Sequence, residues 1–486
     1  MSSLSDRAPS RGHSRPKPRI RPASRGRRLR SEPSEWEWED VSATSPISTR
    51  HVSTGRQLAV ANGAGGRDSD QRKRRRRPLS RRVRRLRAFA FGVVLVLAVL
   101  AAWSYIGALT TPGSSSLSTR TVEWISNKVP GGRPVVLFAE RVWYSWTAPP
   151  AGGTPPGGLP KVSSPRQTAA PAGSSSPVRG FTAAGQVVSA ASAIHAPPHL
   201  APPPAIVLLT TGTLPLEGQW QTAGRLVEGL PAIRVTYLRP DAVHTSLVAG
   251  VMWLDMKLLQ AELVPGTRVP SPGSSWPGPH FSVPTSARAS LEATFNSGFL
   301  LRDSGGGWYG EGRLVVPLVD GAASLVIYKD GTATVAQWGR DASMGPTVAA
   351  VRQNLQLIVD QGQVTPGVGA DNYKIWGKTL GNTVMVWRSG VGVTADGALV
   401  YAAGKGLSVT SLATVLQRAG AVRAMELDIN TQWTSANYYQ LAPGDPQVVS
   451  AAKLLPNMAR PATRFLAPDE RDFVAVFIRP ELLPKP

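Results

Sequence analysis

The longest uninterrupted apolar stretch of the chain runs from Ala88 to Leu109 and contains no charged residue. About 20 consecutive apolar residues let a helix cross the hydrocarbon core of a bilayer. The basic block from Gln71 to Arg87 directly precedes this stretch, and such blocks stay on the cytoplasmic side. The pattern predicts one transmembrane helix over residues 88–109, with a cytoplasmic N-terminus and an extracellular C-terminal domain. The long leader favours an uncleaved anchor over a cleaved signal peptide.

Three non-globular segments surround this apolar run. Residues 1–87 are rich in Ser, Arg, Pro and Gly, which predicts a disordered basic cytoplasmic tail. Residues 110–147 place Val122, Ile125 and Val129 at helical spacing before an aromatic run, which predicts a juxtamembrane helical segment. Residues 148–204 are rich in Pro, Gly and Ser, as expected of an extended, mobile linker.

From residue 205 to 486 the pattern becomes that of a folded domain. IVLLTTGTL, IRVTYLRP and SLVAGVMWLD read as strands, and ARASLEATF reads as a helix or turn that leads into a strand. D-G pairs at 320–321, 330–331 and 396–397 favour hairpins. A helix is expected over residues 411–419, capped by Thr410 or Ser411 and ended by Gly420. The prediction is an α+β domain with mixed or antiparallel sheet, hairpins and a few helices.

Charge and composition narrow the function classes. Residues 1–87 hold 24 Lys/Arg and 8 Asp/Glu, which is +16 of the total +23. The basic character therefore lies in the tail beside the membrane, where it suits anionic lipid headgroups; nucleic-acid binding is the alternative that we do not expect. The chain has no Cys and no His after His280. A Cys nucleophile is excluded, as is a Ser-His-Asp triad within the C-terminal part.

The segment VRAMELDIN, residues 422–430, contains the most informative acidic residues. Side chains alternate between the two faces of a strand. Met425, Leu427 and Ile429 are then expected to enter a core, with Glu426, Asp428 and Asn430 together on the opposite face. Polar groups in such a row are either a solvent-facing strand surface or a site built by carboxylates.

Two further segments carry candidate residues. In ATFNSGFL, Asn296 precedes the small residues Ser297 and Gly298, which would let a ligand approach the backbone; a turn-capping Asn is the alternative. In NTVMVWRSGVGV, Arg388 is expected to close an apolar strand before a small-residue turn. An Arg there is either a surface charge or a clamp for an anion, because its planar fork suits phosphate.

These segments, in this order, resemble the phosphodiester glycosidase family, that of the lysosomal uncovering enzyme. The matching pieces are N-S-G-F from Asn296, R-S-G-V-G from Arg388 with its D-G hairpin and helix, and E-L-D from Glu426. The resemblance covers roughly residues 245–440, and the architecture also resembles actinobacterial membrane-anchored members. Glu426 stands where the family has Asn, and I-N-T-Q replaces the family's G-G-G-S.

The resemblance implies an extracytoplasmic hydrolase of glycosyl-1-phosphate linkages in cell-envelope glycan metabolism. Arg388 would clamp the phosphodiester, Asp428 would act as nucleophile or base, and Glu426 would handle the proton. Asn296, Gly298 and Asn430 would bind substrate. No spacing demands a cofactor, although Asp and Asn oxygens could hold a divalent cation such as Ca²⁺. The alternative is a non-catalytic glycan-binding or scaffold module of the envelope.

Overall fold

A computed structural model describes residues 81–110, 116–146, 149–162, 197–270, 281–369, 373–376, 385–442 and 445–483. The predicted disordered tail up to residue 80 and the linker between residues 163 and 196 lie outside the described residues. The α+β prediction is confirmed: the sheets are antiparallel in the described residues, and a few helices accompany them.

The helices include one long apolar helix near the N-terminus. They are α1 (Arg81–Thr110), α2 (Leu117–Lys128), α3 (Gly132–Trp146), α4 (Leu301–Ser304), α5 (Tyr373–Trp376) and α6 (Val409–Arg418). Among the described residues, one helical stretch, Arg85–Thr110, is long and apolar enough to cross a membrane, with a mean hydropathy of 2.3. The helices α2 and α3 lie within the segment expected to be helical after it.

Eighteen strands are described, in three sheets. They are β1 (Gln221–Val227), β2 (Leu230–Leu238), β3 (Ala249–Leu254), β4 (Leu259–Val264), β5 (Leu291–Asn296), β6 (Trp308–Gly310), β7 (Arg313–Val316), β8 (Ala323–Tyr328), β9 (Ala333–Gln337), β10 (Val348–Gln353), β11 (Leu357–Asp360), β12 (Gln363–Val364), β13 (Val386–Thr394), β14 (Leu399–Leu407), β15 (Ala421–Glu426), β16 (Ala436–Ala442), β17 (Asp445–Lys453) and β18 (Phe473–Ile478). Their orders are β1-β2-β3-β14-β13-β15-β11-β12, β7-β6-β10-β8-β9 and β17-β16-β5-β18-β4.

The eight-stranded sheet is covered on both faces. Leu412, Val415 and Leu416 of α6 pack on one face with Val400 and other apolar side chains of the sheet. The opposite face contributes to the main core, in which side chains of all three sheets meet. Burial on both faces explains why β13 and β14 are apolar along almost their whole length.

The helix α6 begins earlier than the sequence indicated. Its N-cap is Ser408, which exchanges hydrogen bonds with Ser411 in a capping box, so the prediction of Thr410 or Ser411 as the cap was wrong. Gly420 follows the helix at a φ of +93°, as expected of a C-terminal glycine. Ser411, one of the two residues expected to cap the helix, is instead the third helical residue, and its hydroxyl accepts from the Ser408 N–H.

Two of the three D-G pairs form the expected hairpins. Asp330-Gly331 joins β8 to β9, and Asp396-Gly397 joins β13 to β14. Asp320-Gly321 is a turn between β7 and β8, which are not neighbours in their sheet. The stretch IVLLTTGTL forms no strand, so that prediction was wrong; Ile206 and Leu208 instead pack beside α6.

The run R-S-G-V-G is strand and not turn, which corrects the expected environment of Arg388. A Cβ on Gly390 would lie 2.9 Å from Leu416 Cδ1 and 2.9 Å from the Met425 carbonyl oxygen. A Cβ on Gly392 would lie 2.7 Å from the Cβ of Ala421. The glycines therefore allow α6 and β15 to pack closely against β13, and Arg388 is the third residue of this nine-residue strand.

Parts of the expected linker lie on the folded domain. Leu159 and Val162 pack against the main core. The backbone N–H of Leu200 donates to Asp255 Oδ2 at 2.8 Å, and the indole of Trp220 donates to the Pro204 carbonyl at 2.8 Å. These contacts tie residues on both sides of the 163–196 segment to the domain.

The helices α2 and α3 also contact the domain through polar pairs. Arg133 of α3 pairs with Asp303 at 3.1 Å. The guanidinium of Arg302 donates to Asn127 of α2 at 2.6 Å. Glu123 of α2 pairs with Arg268 at 3.2 Å. All of these are partly exposed, so each contributes little to stability by itself.

Candidate functional site

The predicted site residues converge where two sheets meet. Within the eight-stranded sheet, β13 lies beside β15, with Gly390 opposite Glu426. The five-stranded sheet that contains β5 reaches the same place, because the N–H of Asp428 donates to the Ser297 carbonyl at 3.2 Å. The hydroxyl of Ser389 donates to the Asp428 carbonyl at 2.8 Å. The structure therefore brings together all six predicted site residues.

The acidic segment differs from its predicted strand. β15 ends at Glu426, and residues 427–430 form an irregular connection. Glu426 is fully buried and faces Arg388, so it does not lie on an open strand face as alternation suggested. Leu427 enters the core as expected, because its N–H still donates to the Ser389 carbonyl at 2.8 Å. The acids thus occupy two environments, one inside the sheet and one beyond its end.

Asn296 is held in a saturated hydrogen-bond network. Its amide nitrogen donates to Ser389 Oγ at 3.0 Å and to the Ser297 carbonyl at 2.9 Å. Its amide oxygen accepts from the Tyr401 hydroxyl at 2.8 Å and from the Ser435 N–H at 2.9 Å. The side chain is buried. This network joins the end of β5 to β13 and β14, and it fixes Ser389 beside Asp428.

Arg388 and Glu426 form a buried ion pair across neighbouring strands. The guanidinium of Arg388 also donates through Nε to the Leu407 carbonyl at 2.9 Å. Burial raises the pKa of Glu426 to about 7, since the ion pair with Arg388 offsets only part of the desolvation and nearby Asp428 opposes ionisation. A carboxyl group with this pKa can exchange a proton near neutral pH.

Asp428 lies past the end of β15 and retains slight exposure. Burial raises its pKa, while Arg471, the N–H groups of Asn430 and Ile429, and Arg464 oppose that rise. Its Oδ2 lies 3.8 Å from Nη1 of Arg471, and its Oδ1 accepts from the Asn430 N–H at 3.3 Å. Asn430 itself is partly exposed. Asp428 is therefore the acid of the pair that stands nearer to solvent.

Gly298 provides close packing beside Glu426. A Cβ at this position would lie 3.0 Å from both Cβ and Cγ of Asn354. Asn354 in turn accepts from the Phe299 N–H at 3.2 Å and donates to the Glu426 carbonyl at 2.7 Å. The glycine therefore permits Asn354 to bridge the segment after β5 to the end of β15.

Several buried oxygen atoms at this junction have no hydrogen-bond partner among the described residues. They are Ser297 Oγ, Glu426 Oε2 and Asp472 Oδ1. The Ser297 N–H donates to the Asp472 carbonyl at 3.3 Å, so two of these residues are adjacent. The other oxygen of Asp472 accepts from Arg352 at 2.7 Å. Unsatisfied buried groups are uncommon, and at a site they offer bonds to a ligand.

The sequence interpretation missed residues contributed by distant segments. The sequence does not indicate which groups Ser389, Asn354 and Tyr401 contact. Tyr401 lies in an apolar strand, whereas Ser389 and Asn354 each follow another polar residue without a recognisable motif. Arg471 and Asp472 do have one: the charged run D-E-R-D at 469–472 stands directly before the fully buried strand β18. Such a dense run next to a core strand indicates charges that are paired inside the protein.

The acids are poorly arranged for a divalent cation. Glu426 faces Arg388 and Asp428 faces Arg471, so each carboxylate already has a cationic neighbour. Among the residues that the structure describes, no group of three or more His, Asp or Glu side chains could hold a metal ion. Ca²⁺ prefers six to eight oxygen ligands, and this donor set does not fit it.

Residues 290–428 match the family model of the phosphodiester glycosidases, which confirms the resemblance over those residues. A similar solved structure is the zebrafish N-acetylglucosamine-1-phosphodiester alpha-N-acetylglucosaminidase catalytic domain, auto-inhibited by its pro-peptide; identity is 14%, coverage is 53% of this chain and 88% of that chain, and the TM-score is 0.32. A hypothetical protein from Synechocystis is 12% identical, with coverage of 52% of this chain and 63% of that chain and a TM-score of 0.29. A putative exported protein from Burkholderia pseudomallei is 12% identical, with coverage of 49% of this chain and 75% of that chain and a TM-score of 0.21. No curated protein matches the chain significantly.

Proposed function

We propose, on the premise of the phosphodiester glycosidase match over residues 290–428, that this protein hydrolyses a glycosyl-1-phosphodiester at the Glu426–Asp428 site. The observation that carries the proposal is the pair of buried acids with raised pKa at the end of β15. Hydrolysis at a sugar carbon commonly uses two carboxyl groups in different environments. Here one is enclosed with an Arg, and the other lies next to the partly exposed loop.

Asp428 is the group that acts at the sugar carbon. In the simplest step its carboxylate removes a proton from water while the water oxygen bonds to the anomeric carbon. The bond from that carbon to the phosphate oxygen breaks, and the phosphate monoester leaves with the bonding electrons. Attack by Asp428 itself would instead form a glycosyl-enzyme, which water then hydrolyses. The anomeric configuration of the first product distinguishes these routes.

In this proposal Glu426 transfers the proton, and Arg388 is a positioning residue that orients Glu426. The sequence suggested Arg388 as the clamp for the phosphodiester. Its guanidinium is buried against Glu426 and the Leu407 carbonyl, which supports a role in orienting that acid instead. A phosphate leaving group needs less protonation than an alcohol, so we expect loss of Glu426 to reduce turnover less than loss of Asp428.

The two asparagines have different roles in this proposal. Asn296 uses its amide to fix Ser389 and the backbone around Asp428, so it shapes the site. Asn430 is partly exposed next to Asp428, so it is the better candidate for binding a sugar hydroxyl. Gly298 acts through Asn354, which it allows to contact the Glu426 carbonyl.

The location of the reaction follows from the apolar helix. With residues 88–109 spanning the membrane and the basic block facing anionic lipid in the cytoplasm, the domain from residue 205 onward would act on envelope carbohydrate outside the cell.

A non-catalytic glycan-binding module is the second candidate. One observation favours it: Ile429, Thr431 and Gln432 stand where the family has glycine or serine, and their side chains restrict access of a ligand to the backbone. A binding module would hold the same phosphodiester without releasing product.

Turnover by the detergent-solubilised full chain tests the proposal. A panel of sugar-1-phosphodiesters is incubated with the wild type and with Asp428→Asn, and released phosphate monoester is measured. We expect turnover by the wild type and a loss of about a thousandfold or more in the variant. Thr414→Ala, a change at a half-buried position of α6, is the control for losses during purification. Binding without product from the wild type would support the module; unchanged turnover by Asp428→Asn would remove Asp428 from the reaction.

A further inference from the structure

The indole of Trp433 lies among three guanidinium groups. The central carbon of Arg471 is 4.6 Å from the ring centroid, and those of Arg464 and Arg460 are 5.3 Å and 5.4 Å away. The backbone N–H of Trp433 donates to the Asn430 carbonyl at 3.0 Å, so Trp433 follows directly on the loop that carries Asp428. An aromatic face stabilises cations next to it, so the cluster holds three positive charges close to the site.

Two of the three arginines are committed to the fold. Arg464 donates to both oxygens of Asp469, at 2.7 Å and 2.9 Å, and to the Trp433 carbonyl at 2.9 Å. Arg460 shares the same carboxylate at 3.4 Å. Both side chains are almost fully buried. The Asp469 carboxylate therefore serves two guanidiniums, and Glu470 and Glu123 also act on Arg460 electrostatically.

The side chain of Arg471 is more exposed than those of the other two arginines. Among the described residues, its Nη1 makes no hydrogen bond. The Asp428 carboxylate is 3.8 Å from that nitrogen, beyond hydrogen-bond distance. The side chains of Arg471 and Asp428 are 11% and 8% exposed, more than the other charged side chains around Trp433. The unsatisfied nitrogen is itself buried, and it belongs to the most exposed of the three arginine side chains, beside Asp428.

We propose that Arg471, stacked on Trp433 and supported by the field of Arg460 and Arg464, forms an anion subsite that binds the phosphodiester group next to Asp428. This rests on the proposed function and assigns the anion to a residue outside the matched residues 290–428. A guanidinium offers planar, directed N–H groups to phosphate oxygens. The singly charged diester meets repulsion from Asp428. This repulsion is opposed by Arg471 and by Arg460 and Arg464, which share the Asp469 carboxylate.

Arg268 provides a matched comparison. It lies on the same side of the domain, and its Nη1 contacts Glu123 at 3.2 Å and Glu470 at 3.1 Å. Two carboxylates thus already contact this guanidinium within hydrogen-bond distance, whereas the Asp428 carboxylate lies 3.8 Å from Nη1 of Arg471. Glu123 also faces Arg471 from α2, so the cluster attracts at least one carboxylate from outside the sheets.

The test measures anion binding apart from turnover. Diethyl phosphate, a singly charged diester without a sugar, is titrated calorimetrically into the full chain in detergent. We expect wild-type binding, a loss of about tenfold or more in Arg471→Gln, a smaller loss in Arg471→Lys, and a change under about twofold in Arg268→Gln. Asp428→Asn should bind at least as tightly as the wild type, because it removes a repelling charge.

The outcomes separate the subsite from the proposed reaction. Binding that depends on Arg471 in a protein without turnover sustains the subsite and overturns the hydrolase. Turnover with an unchanged KM in both Arg471 variants overturns the subsite alone, as does diethyl phosphate affinity that Arg471→Lys and Arg471→Gln leave intact. Circular dichroism melting of each variant checks the fold, and Arg471→Lys keeps the charge if the Gln variant unfolds.

Discussion

The guanidinium of Arg388 pairs with the carboxylate of Glu426 inside the eight-stranded sheet, where both side chains are almost completely buried. Removing one partner of such a pair leaves an uncompensated charge in the interior. We expect Arg388→Gln to destabilise the protein by about 3 kcal/mol, which lowers the melting temperature by roughly 6 °C or more.

The double variant Arg388→Met with Glu426→Leu removes both charges and is its control. Hydrophobic replacement of a buried pair is often neutral, so the double variant should melt well above the single variant. Melting of the full chain, followed by circular dichroism, makes the comparison. Equal melting temperatures for the Arg388 variant and the wild type would contradict the importance of the pair.

The raised pKa of Glu426 makes stability depend on pH. Its folded-state pKa of about 7 lies above the ordinary value of 4.5, so the folded protein binds this proton more tightly than the unfolded chain. The contribution is full below pH 4.5 and is lost as pH rises to about 7, on the order of 3 kcal/mol. Melting temperature should therefore fall across that window, and Glu426→Gln should flatten the fall.

Glu292 is a second buried acid that makes the stability depend on pH, so its effect has to be separated from that of Glu426. Burial raises its pKa to about 7 as well, against the effect of Arg225. In a Glu292→Gln background the remaining pH dependence should be reduced further by Glu426→Gln. If Glu426→Gln has no effect on the pH profile in that background, Glu426 does not titrate as expected.

Close packing at Gly298 should be sensitive to one methyl group. Gly298→Ala would place a Cβ 3.0 Å from Asn354 and displace the side chain that contacts the Glu426 carbonyl. We expect a loss of about 1–3 kcal/mol in stability together with reduced turnover. Gly345→Ala is the matched control, since no atom lies within 4 Å of its added Cβ. Similar melting temperatures and activities for the two variants would refute the packing role.

The helix α1 should anchor the protein. Deleting residues 85–110 should move the protein from the membrane pellet to the soluble fraction, because this stretch has a mean hydropathy of 2.3 and exposed side chains. Replacing the same residues by an equally long leucine-rich helix should restore sedimentation with the membranes. A deletion variant that remains membrane-bound in sodium carbonate would place the anchor elsewhere.

Local sequence was enough for several parts of the fold. The hairpins at Asp330-Gly331 and Asp396-Gly397 and the helix before Gly420 depend on neighbouring residues, and they form as expected. The strand expected at IVLLTTGTL does not form, because apolar residues can equally cover a helix without joining a sheet. The small residues after Arg388 suggested a turn. In the structure they belong to β13 and allow α6 and β15 to pack closely against it.

What the sequence determined by itself is therefore an apolar run long enough to span a membrane, an antiparallel α+β domain and the identity of six residues that meet at one junction. Only the tertiary structure decided which group faces which: Arg388 turns to Glu426, and Arg471 comes to Asp428 from a segment over 40 residues later in the chain. The physical reason is that periodicity and turn chemistry act over a few residues, while burial, and with it charge pairing and pKa, is set by strands that are distant in sequence.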